Sequence, residues 1–138
     1  MKHAHHSFDI DQPGKDSRRH REAGAQEVMV ASDQRWALIH ELRGAPEPAM
    51  DELLRHMNPV DLVIVEGFKR GPQPKIEVFR RSVGKPLLAP ADPTIVAIAS
   101  DAPVPELALP RYDLDDIDGI ASFIITHCRI ETGRHGAA

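Results

Sequence analysis

Acidic residues follow two of the most apolar segments of the chain, where both could contact a metal ion or a nucleotide. Glu66 and Gly67 end the apolar run 62–65. A carboxylate there can reach Mg²⁺ or its water shell, and the glycine lets the chain turn close to a ligand. The alternative is an ordinary strand end with a solvated glutamate. Asp101 follows the run 94–99 and either accepts hydrogen bonds from a guanine edge or caps a turn.

A histidine-rich start precedes two aspartates. His3, His5 and His6 come before Asp9 and Asp11. Neutral imidazoles and carboxylates can bind a transition metal. In an extended segment, however, His3 and His5 share one side while His6 faces the other. A metal site would therefore need ligands from elsewhere, and we favour contacts of these polar side chains with a ligand or its phosphates.

The Gly14-Lys15 pair does not form a phosphate-binding Walker A motif. That motif requires a glycine, four residues and then Gly-Lys-Ser/Thr, whereas Lys15 is followed by Asp16. The other Gly-Lys pair is followed by Pro86, so no Walker A motif occurs in the 138 residues. Asp16 or Ser17 can cap a short helix, and Lys15 could meet an anion at the backbone amides of its start.

A basic segment lies between the two apolar runs. It is either a solvated loop with an edge strand protected by its charges, or a site for a phosphate-bearing ligand or an acidic partner. Its residues are Lys69, Arg70, Lys75, Arg80, Arg81 and Lys85.

The elements that must position these residues alternate between helices and strands. The apolar, largely β-branched runs predict strands buried on both faces, which belong to parallel sheets covered by helices. We therefore expect an α/β sandwich whose ligands bind at the carboxyl ends of the strands. The other predicted elements are a hairpin of 27–31 and 36–40, a half-exposed strand at 76–79, and helices starting at 16, over 50–57 and over 117–128.

Composition narrows the class of protein. The net charge is -4 at pH 7, with 41% hydrophobic and 4% aromatic residues. This balance predicts one folded domain without the basic stripe of a DNA-binding protein or an aromatic platform for bases. We expect neither a signal peptide nor a membrane span, and hence a cytoplasmic protein. The single cysteine, Cys128, excludes an internal disulfide framework, and its place on the apolar stripe of the last helix predicts a core position.

Several segments, taken in order, resemble one known family. The most specific is KHAHHSFDIDQPGKDS at residues 2–17, and the others are REAGA (21–25), HELRG (40–44), DLVIVEGFK (61–69) and PKIEV (74–78). The set is similar to the molybdopterin-guanine dinucleotide biosynthesis protein B (MobB) family. The resemblance runs from the first residues to about Asp101.

The resemblance implies a three-layer, P-loop NTPase-like sandwich with a mainly parallel sheet. It implies a homodimer that binds GTP with Mg²⁺, hydrolyses it slowly at most, and assists the MobA-type guanylyltransferase that joins GMP to molybdopterin. On this chain Glu66 resembles the Walker B acid that holds Mg²⁺, Gly67 is expected near the γ-phosphate, and Asp101 is a candidate for guanine. The loop expected to face metal and phosphates carries Asp9, Asp11 and Asp16. Further possible contacts with phosphates or ligand are His3, His5, His6, Lys15 and Lys69.

In the family, a strand, a P-loop and a helix precede the histidine-rich segment. Such a unit spans about 30 residues, and without it GTP lacks a cradle for its β- and γ-phosphates. We therefore expect a single MobB-like domain over residues 1–131 without that unit, and a frayed tail over 132–138. Three hypotheses stay open: a GTP-binding adapter, a remnant that binds only the transferase or molybdopterin, and a small histidine-rich metal-binding protein.

Overall fold

Short helices and strands alternate along the chain in a computed structural model that describes residues 1–4, 8–69, 71–104 and 107–131. His5, His6, Arg70 and the predicted tail from Thr132 lie outside these residues. None of the described helices is long and apolar enough to cross a membrane. In chain order the elements are α1 (Asp16–Glu22), β1 (Glu27–Ala31), β2 (Trp36–His40), α2 (Met50–Leu54), β3 (Lys75–Phe79), a 3₁₀ helix (Arg81–Val83), β4 (Ile95–Ser100), β5 (Arg111–Tyr112) and α3 (Ile117–His127).

The chain divides into two compact units. The first comprises Met1–Pro59 and Val65–Phe68, and the second comprises Val60–Ile64 and Lys69–Ala138. The single domain expected over residues 1–131 stays a prediction.

The first unit is organised around the predicted hairpin, which is confirmed. β1 and β2 pair in antiparallel register from Glu27 opposite His40 to Ala31 opposite Trp36. The Ser32 hydroxyl closes the turn by accepting hydrogen bonds from the two amides that follow Asp33. Helix α1 contacts β1.

Helix α1 begins without the predicted side-chain cap. Its N-cap is Lys15, which makes no side-chain capping hydrogen bond. The expected cap by Asp16 or Ser17 is wrong because the helix already includes Asp16, whose carboxylate instead pairs with Arg19 at 3.5 Å. The end of the helix agrees with prediction, since Gly24 follows it with φ +108°, a conformation that favours glycine.

The predicted buried strand at 62–65 is not formed in the described part of the chain. Its one strand-like pairing is a single parallel bridge between Lys2 and Glu66. Ile64 is 67% exposed and Val60 60% exposed. An apolar run makes burial favourable, but a central strand also needs hydrogen-bonded neighbours along its length. Among the described residues this segment has such a neighbour only at its end.

The second unit holds a parallel sheet in the order β3-β4-β5. The middle strand β4 confirms the predicted buried strand, since Ile95, Ala97, Ile98, Ala99 and Ser100 are all buried. Strand β3, at the edge, confirms the half-exposed strand expected at 76–79. The carboxylate of Glu77 on β3 accepts hydrogen bonds from the amides of Leu88 and Ala89, and so fixes the connection that follows.

Two predictions about the later helices are corrected, namely the end of α2 and the burial of Cys128. Helix α2 ends at Leu54 rather than near residue 57, because tighter hydrogen bonds from the His56 and Met57 amides replace the α-helical pattern ahead of Pro59. Helix α3 is confirmed and is capped by Asp116. Cys128 follows it but is exposed, so the predicted core position is wrong. An apolar stripe assigns a face to a residue, whereas burial also requires a neighbour to cover the end of that face.

Candidate functional site

Glu66 and Gly67 are held by the first residues of the chain. The amide of His3 donates to the Glu66 carbonyl at 2.8 Å, and the Glu66 amide donates to the Met1 carbonyl at 2.9 Å. The carboxylate of Glu66 meets the ammonium of Lys2 at 3.2 Å, with about two thirds of each side chain exposed. Exposed ion pairs contribute little to stability. The backbone of Glu66 is therefore fixed, whereas its carboxylate can exchange Lys2 for another cation.

Gly67 is required by both its conformation and its surroundings. Its φ is +90°, a region in which side chains are strained. A Cβ atom there would lie 2.9 Å from the His3 carbonyl oxygen and 3.0 Å from the His3 Cβ. The two segments therefore approach each other as closely as they do only because residue 67 is glycine.

The His3 side chain completes this cluster. Its imidazole Nε2 lies 2.6 Å from a carboxylate oxygen of Glu47, and its ring contacts the ring of Phe68 at a centroid distance of 5.0 Å. His3 is thereby engaged with protein groups on its ring face and at Nε2. The structure thus brings three sequence-predicted residues together, namely His3, Glu66 and Gly67.

Asp9 and Asp11 belong to a different cluster, centred on Arg21. The Arg21 guanidinium donates from Nη2 to Asp9 Oδ1 at 2.7 Å, from Nε to Asp11 Oδ2 at 2.7 Å, and from Nη1 to Glu41 Oε1 at 2.8 Å. We call these four residues the Arg21 clasp. It ties the loop before α1 to the residue that follows β2. Hydrogen bonding to Glu41, with a contribution from Asp11, raises the pKa of Arg21 against the opposing effect of desolvation.

Two further arginines support the clasp. Arg18, one turn before Arg21 on α1, donates to the second Asp9 oxygen at 3.2 Å and to Glu22 at 2.9 Å. Arg43 donates from one guanidinium nitrogen to the backbone carbonyls of Arg21 and Ala25, both at 2.9 Å. Arg43 has φ +46°, an uncommon conformation for a residue with a side chain. Its two hydrogen bonds hold that conformation in place.

Lys15 and Asp16 lie at the start of α1. Lys15 is exposed, and the Asp16 side chain, which faces Arg19, is 85% exposed. Both can meet a ligand from solvent. Neither takes part in the Arg21 clasp.

Asp101 and Lys69 belong to the second unit. The Asp101 carboxylate accepts a hydrogen bond from the Arg81 amide at 3.0 Å and thus anchors the 3₁₀ helix that follows β3. The buried hydroxyl of Ser100, directly before it, donates to the Ala102 carbonyl and accepts from the Ala102 amide. Both residues lie at the carboxyl end of β4, where ligands of parallel sheets bind. Lys69 is exposed.

The fit of these residues to Mg²⁺ differs between the two clusters of the first unit. Mg²⁺ binds oxygen ligands at about 2.0–2.1 Å in octahedral geometry and keeps several waters. Glu66 fits this requirement because its carboxylate is exposed and weakly paired. Asp9 and Asp11 do not fit it as they stand, because guanidinium groups contact their oxygens. Within the described ranges, no three His, Cys, Asp or Glu side chains are placed to hold a metal ion.

Comparison with known proteins decides the family. Residues 1–101 match the family described as Molybdopterin guanine dinucleotide synthesis protein B. The chain belongs to this family. It is 39% identical over 136 residues to the molybdopterin-guanine dinucleotide biosynthesis adapter protein of Escherichia coli K12, covering 96% of this chain and 77% of that protein. It is 40% identical over 127 residues to the adapter protein of the same name from Haemophilus influenzae, covering 90% and 68%.

A solved structure of the same family confirms the fold class. The crystal structure of molybdopterin-guanine biosynthesis protein B (MobB) matches with a TM-score of 0.66 and 27% identity, over 81% of this chain and 74% of that one. Together with the parallel β3-β4-β5 sheet, this match confirms the predicted mixed α/β, P-loop NTPase-like fold.

The sequence analysis assigned no role to the residues that hold the loop before α1 in place. Arg21 and Glu41 stand in two of the segments that carry the family resemblance, yet their pairing spans 20 residues. One local signal was available, because Arg18 and Arg21 are three residues apart on one helix face and follow a loop with two aspartates. Glu47 and Phe68, the partners of His3, carry no such signal.

Proposed function

We propose that this MobB-family chain is an adapter in molybdopterin-guanine dinucleotide biosynthesis. It acts in the cytoplasm and assists the MobA-type guanylyltransferase that joins GMP to molybdopterin. The observation that carries this proposal is the family match over residues 1–101, which includes every candidate site residue. The names of the two adapter relatives support it.

The adapter role is tested in a reconstituted reaction. A MobA-type transferase, molybdopterin and limiting GTP are incubated with and without the purified chain, and formation of the dinucleotide is measured over time. We expect faster formation with the native chain than with the heat-denatured chain. Equal rates over a range of transferase concentrations would contradict the proposal.

The adapter is further proposed to bind GTP with Mg²⁺, with Glu66 as the residue that approaches the metal. Its position after an apolar run, its exposure and its weak pairing with Lys2 support this role. Isothermal titration with GTP in Mg²⁺ and in EDTA measures the affinity. We expect Glu66→Gln to weaken the Mg²⁺-dependent part, whereas the exposed Glu52→Gln, on α2 of the same unit, leaves it unchanged.

A second candidate function is a partner that binds the transferase or molybdopterin without a nucleotide. It is supported by the exposed groups of the loop before α1, such as Lys15, which are open to a partner whether or not a nucleotide is bound. The same titration separates the two candidates. Transferase binding in the absence of any GTP affinity would favour this second function, and tight Mg²⁺-dependent GTP binding would exclude it.

The adapter is proposed to act as a homodimer. The hairpin supports this, because Met29 is 60% exposed and Trp36 62% exposed. Among the residues that the structure describes, β1 and β2 pair only with each other, so their outer edges are open to another strand. Light scattering after gel filtration measures the mass. We expect Trp36→Ser to weaken the dimer, while Met57→Ser, at an exposed position outside the hairpin, leaves it intact.

A further inference from the structure

The carboxylates of the 8–15 loop already have a cation. Asp9 is contacted on both oxygens, by Arg21 on Oδ1 and by Arg18 on Oδ2. Asp11 and Glu41 each give one oxygen to Arg21 at 2.7 and 2.8 Å. The three nitrogens of one guanidinium therefore each reach a different carboxylate. The positive charge of one side chain therefore neutralises three carboxylates.

Burial shows that this pairing is more than a surface contact. The Asp11 side chain is 3% exposed and that of Arg21 16% exposed. Burying a carboxylate is costly unless a partner neutralises it and forms hydrogen bonds. Exchange of Arg21 for another cation would require a buried ion pair to open. The Lys2–Glu66 pair differs, because both of its side chains are about two thirds exposed.

We infer that Arg21 is a built-in cation that neutralises Asp9, Asp11 and Glu41 and so keeps these carboxylates from binding a divalent metal. In this arrangement Asp9 and Asp11 position the loop before α1 and do not ligate Mg²⁺, so that the loop meets ligands through exposed groups such as Lys15. Glu66, by contrast, has an exposed carboxylate that is open to a metal. This inference goes beyond the adapter function, since it concerns only this chain and a metal ion.

The inference predicts that removal of Arg21 lets these carboxylates move together around a divalent cation. Without its guanidinium, three carboxylates remain together, with Arg18 beside one of them. Oxygen ligands of high negative charge bind divalent cations, and affinity rises with the number of charged ligands. The matched control is Arg18, which contacts the same aspartate but leaves Asp11 and Glu41 paired when it is replaced.

The test uses Mn²⁺ as a paramagnetic probe on the whole chain, with no nucleotide or partner. Arg21→Gln is expected to bind Mn²⁺ at least about tenfold more tightly than the native chain, with broadening of the amide resonances of Asp9, Asp11 and Glu41. Arg18→Gln is expected to behave like the native chain. In Arg21→Gln combined with Asp11→Asn, the gain is expected to disappear.

Two results would overturn the inference. One is broadening of the Asp9 and Asp11 resonances in the native chain at the Mn²⁺ concentration that affects Arg21→Gln. The other is a folded Arg21→Gln variant that gains no affinity. If Arg21→Gln does not fold, Asp11→Asn decides. Native Mn²⁺ affinity that is unchanged by Asp11→Asn supports the inference, and a loss overturns it. Because GTP is absent, a failure of the adapter proposal does not affect either outcome.

Discussion

Replacement of Gly67 by alanine is expected to destabilise the chain more than the same replacement at Gly44. The two glycines share nearly the same backbone conformation, with φ +90° and +89°. They differ in surroundings, because a Cβ at residue 67 would meet the His3 backbone at 2.9 Å, whereas nothing lies within 4 Å of a Cβ at residue 44. The pair therefore separates conformational strain from steric exclusion.

The expected magnitudes follow from these contacts. A left-handed conformation costs a residue with a side chain about 1–2 kcal/mol, so Gly44→Ala should lose that amount. Gly67→Ala should lose it as well and also push away the segment of His3. The two backbone hydrogen bonds of the Lys2–Glu66 bridge then break, at about 1 kcal/mol each. The total for Gly67→Ala is about 3–4 kcal/mol.

Urea unfolding of both variants and the native chain measures the difference. We expect a lower midpoint for each variant, with the larger shift in Gly67→Ala. Amide hydrogen exchange at His3 and Glu66 should accelerate in Gly67→Ala and stay native in Gly44→Ala. Equal losses of stability in the two variants, or native exchange at Glu66 in Gly67→Ala, would refute the proposed close approach.

Three more predictions concern the second unit. Hydrogen bonds from the Thr94 hydroxyl and amide lower the pKa of Asp92 below its ordinary value of 3.8. The ionised Asp92 carboxylate therefore stabilises the fold fully above pH 3.8, and this stabilisation is lost as the pH falls through the lower pKa of the folded state. In urea unfolding across pH, the difference between native chain and Asp92→Asn should stay constant above about pH 5 and shrink below that ordinary value. Ser100→Ala should cost about 1 kcal/mol in the same assay, because the half-buried Ala102 amide loses its acceptor. A loss below about 0.5 kcal/mol, which is the scatter seen for surface substitutions, would contradict this role. Asp101→Asn keeps an oxygen that can accept the hydrogen bond from the Arg81 amide of the 3₁₀ helix, so the free energy of unfolding should stay native. If Asp101 contacts the guanine, the binding preference of this variant should move from GTP towards xanthosine triphosphate. An unchanged preference would show that Asp101 does not contact the base.

The pattern of apolar residues predicted those elements whose hydrogen bonds join residues close in sequence. The hairpin 27–31 and 36–40 and the helix from residue 117 are held largely by hydrogen bonds between residues close in sequence, and both are present. The run 62–65 shows the limit of this reasoning. Its residues resemble those of buried strand 95–100, yet in the part of the chain that the structure describes only strand 95–100 has a hydrogen-bonded strand on each side. Strand pairing depends on residues far away in sequence, and side-chain pattern does not specify them.

In the candidate site, too, some residues were predicted from the local sequence and others depend on the tertiary fold. Glu66 and Gly67 were predicted from a strand-end pattern, and the bridge to the first residues explains why glycine is needed there. The partners of Asp9 and Asp11 were not predicted. A carboxylate in a turn has the same local sequence whether it faces a metal or a guanidinium, and only the tertiary fold brings Arg21 and Glu41 to it.

The bridge between Lys2 and Glu66 also sets an order of events during synthesis. About 60 residues separate the two residues of this bridge, and closing so long a loop costs more conformational entropy than closing the hairpin turn. At about 5–20 residues per second, a ribosome adds that length in about 3–12 s. During this time the hairpin and the Arg21 clasp can form, whereas the first residues still lack their partner. Residues 1–3 therefore reach their folded position after the elements that follow them.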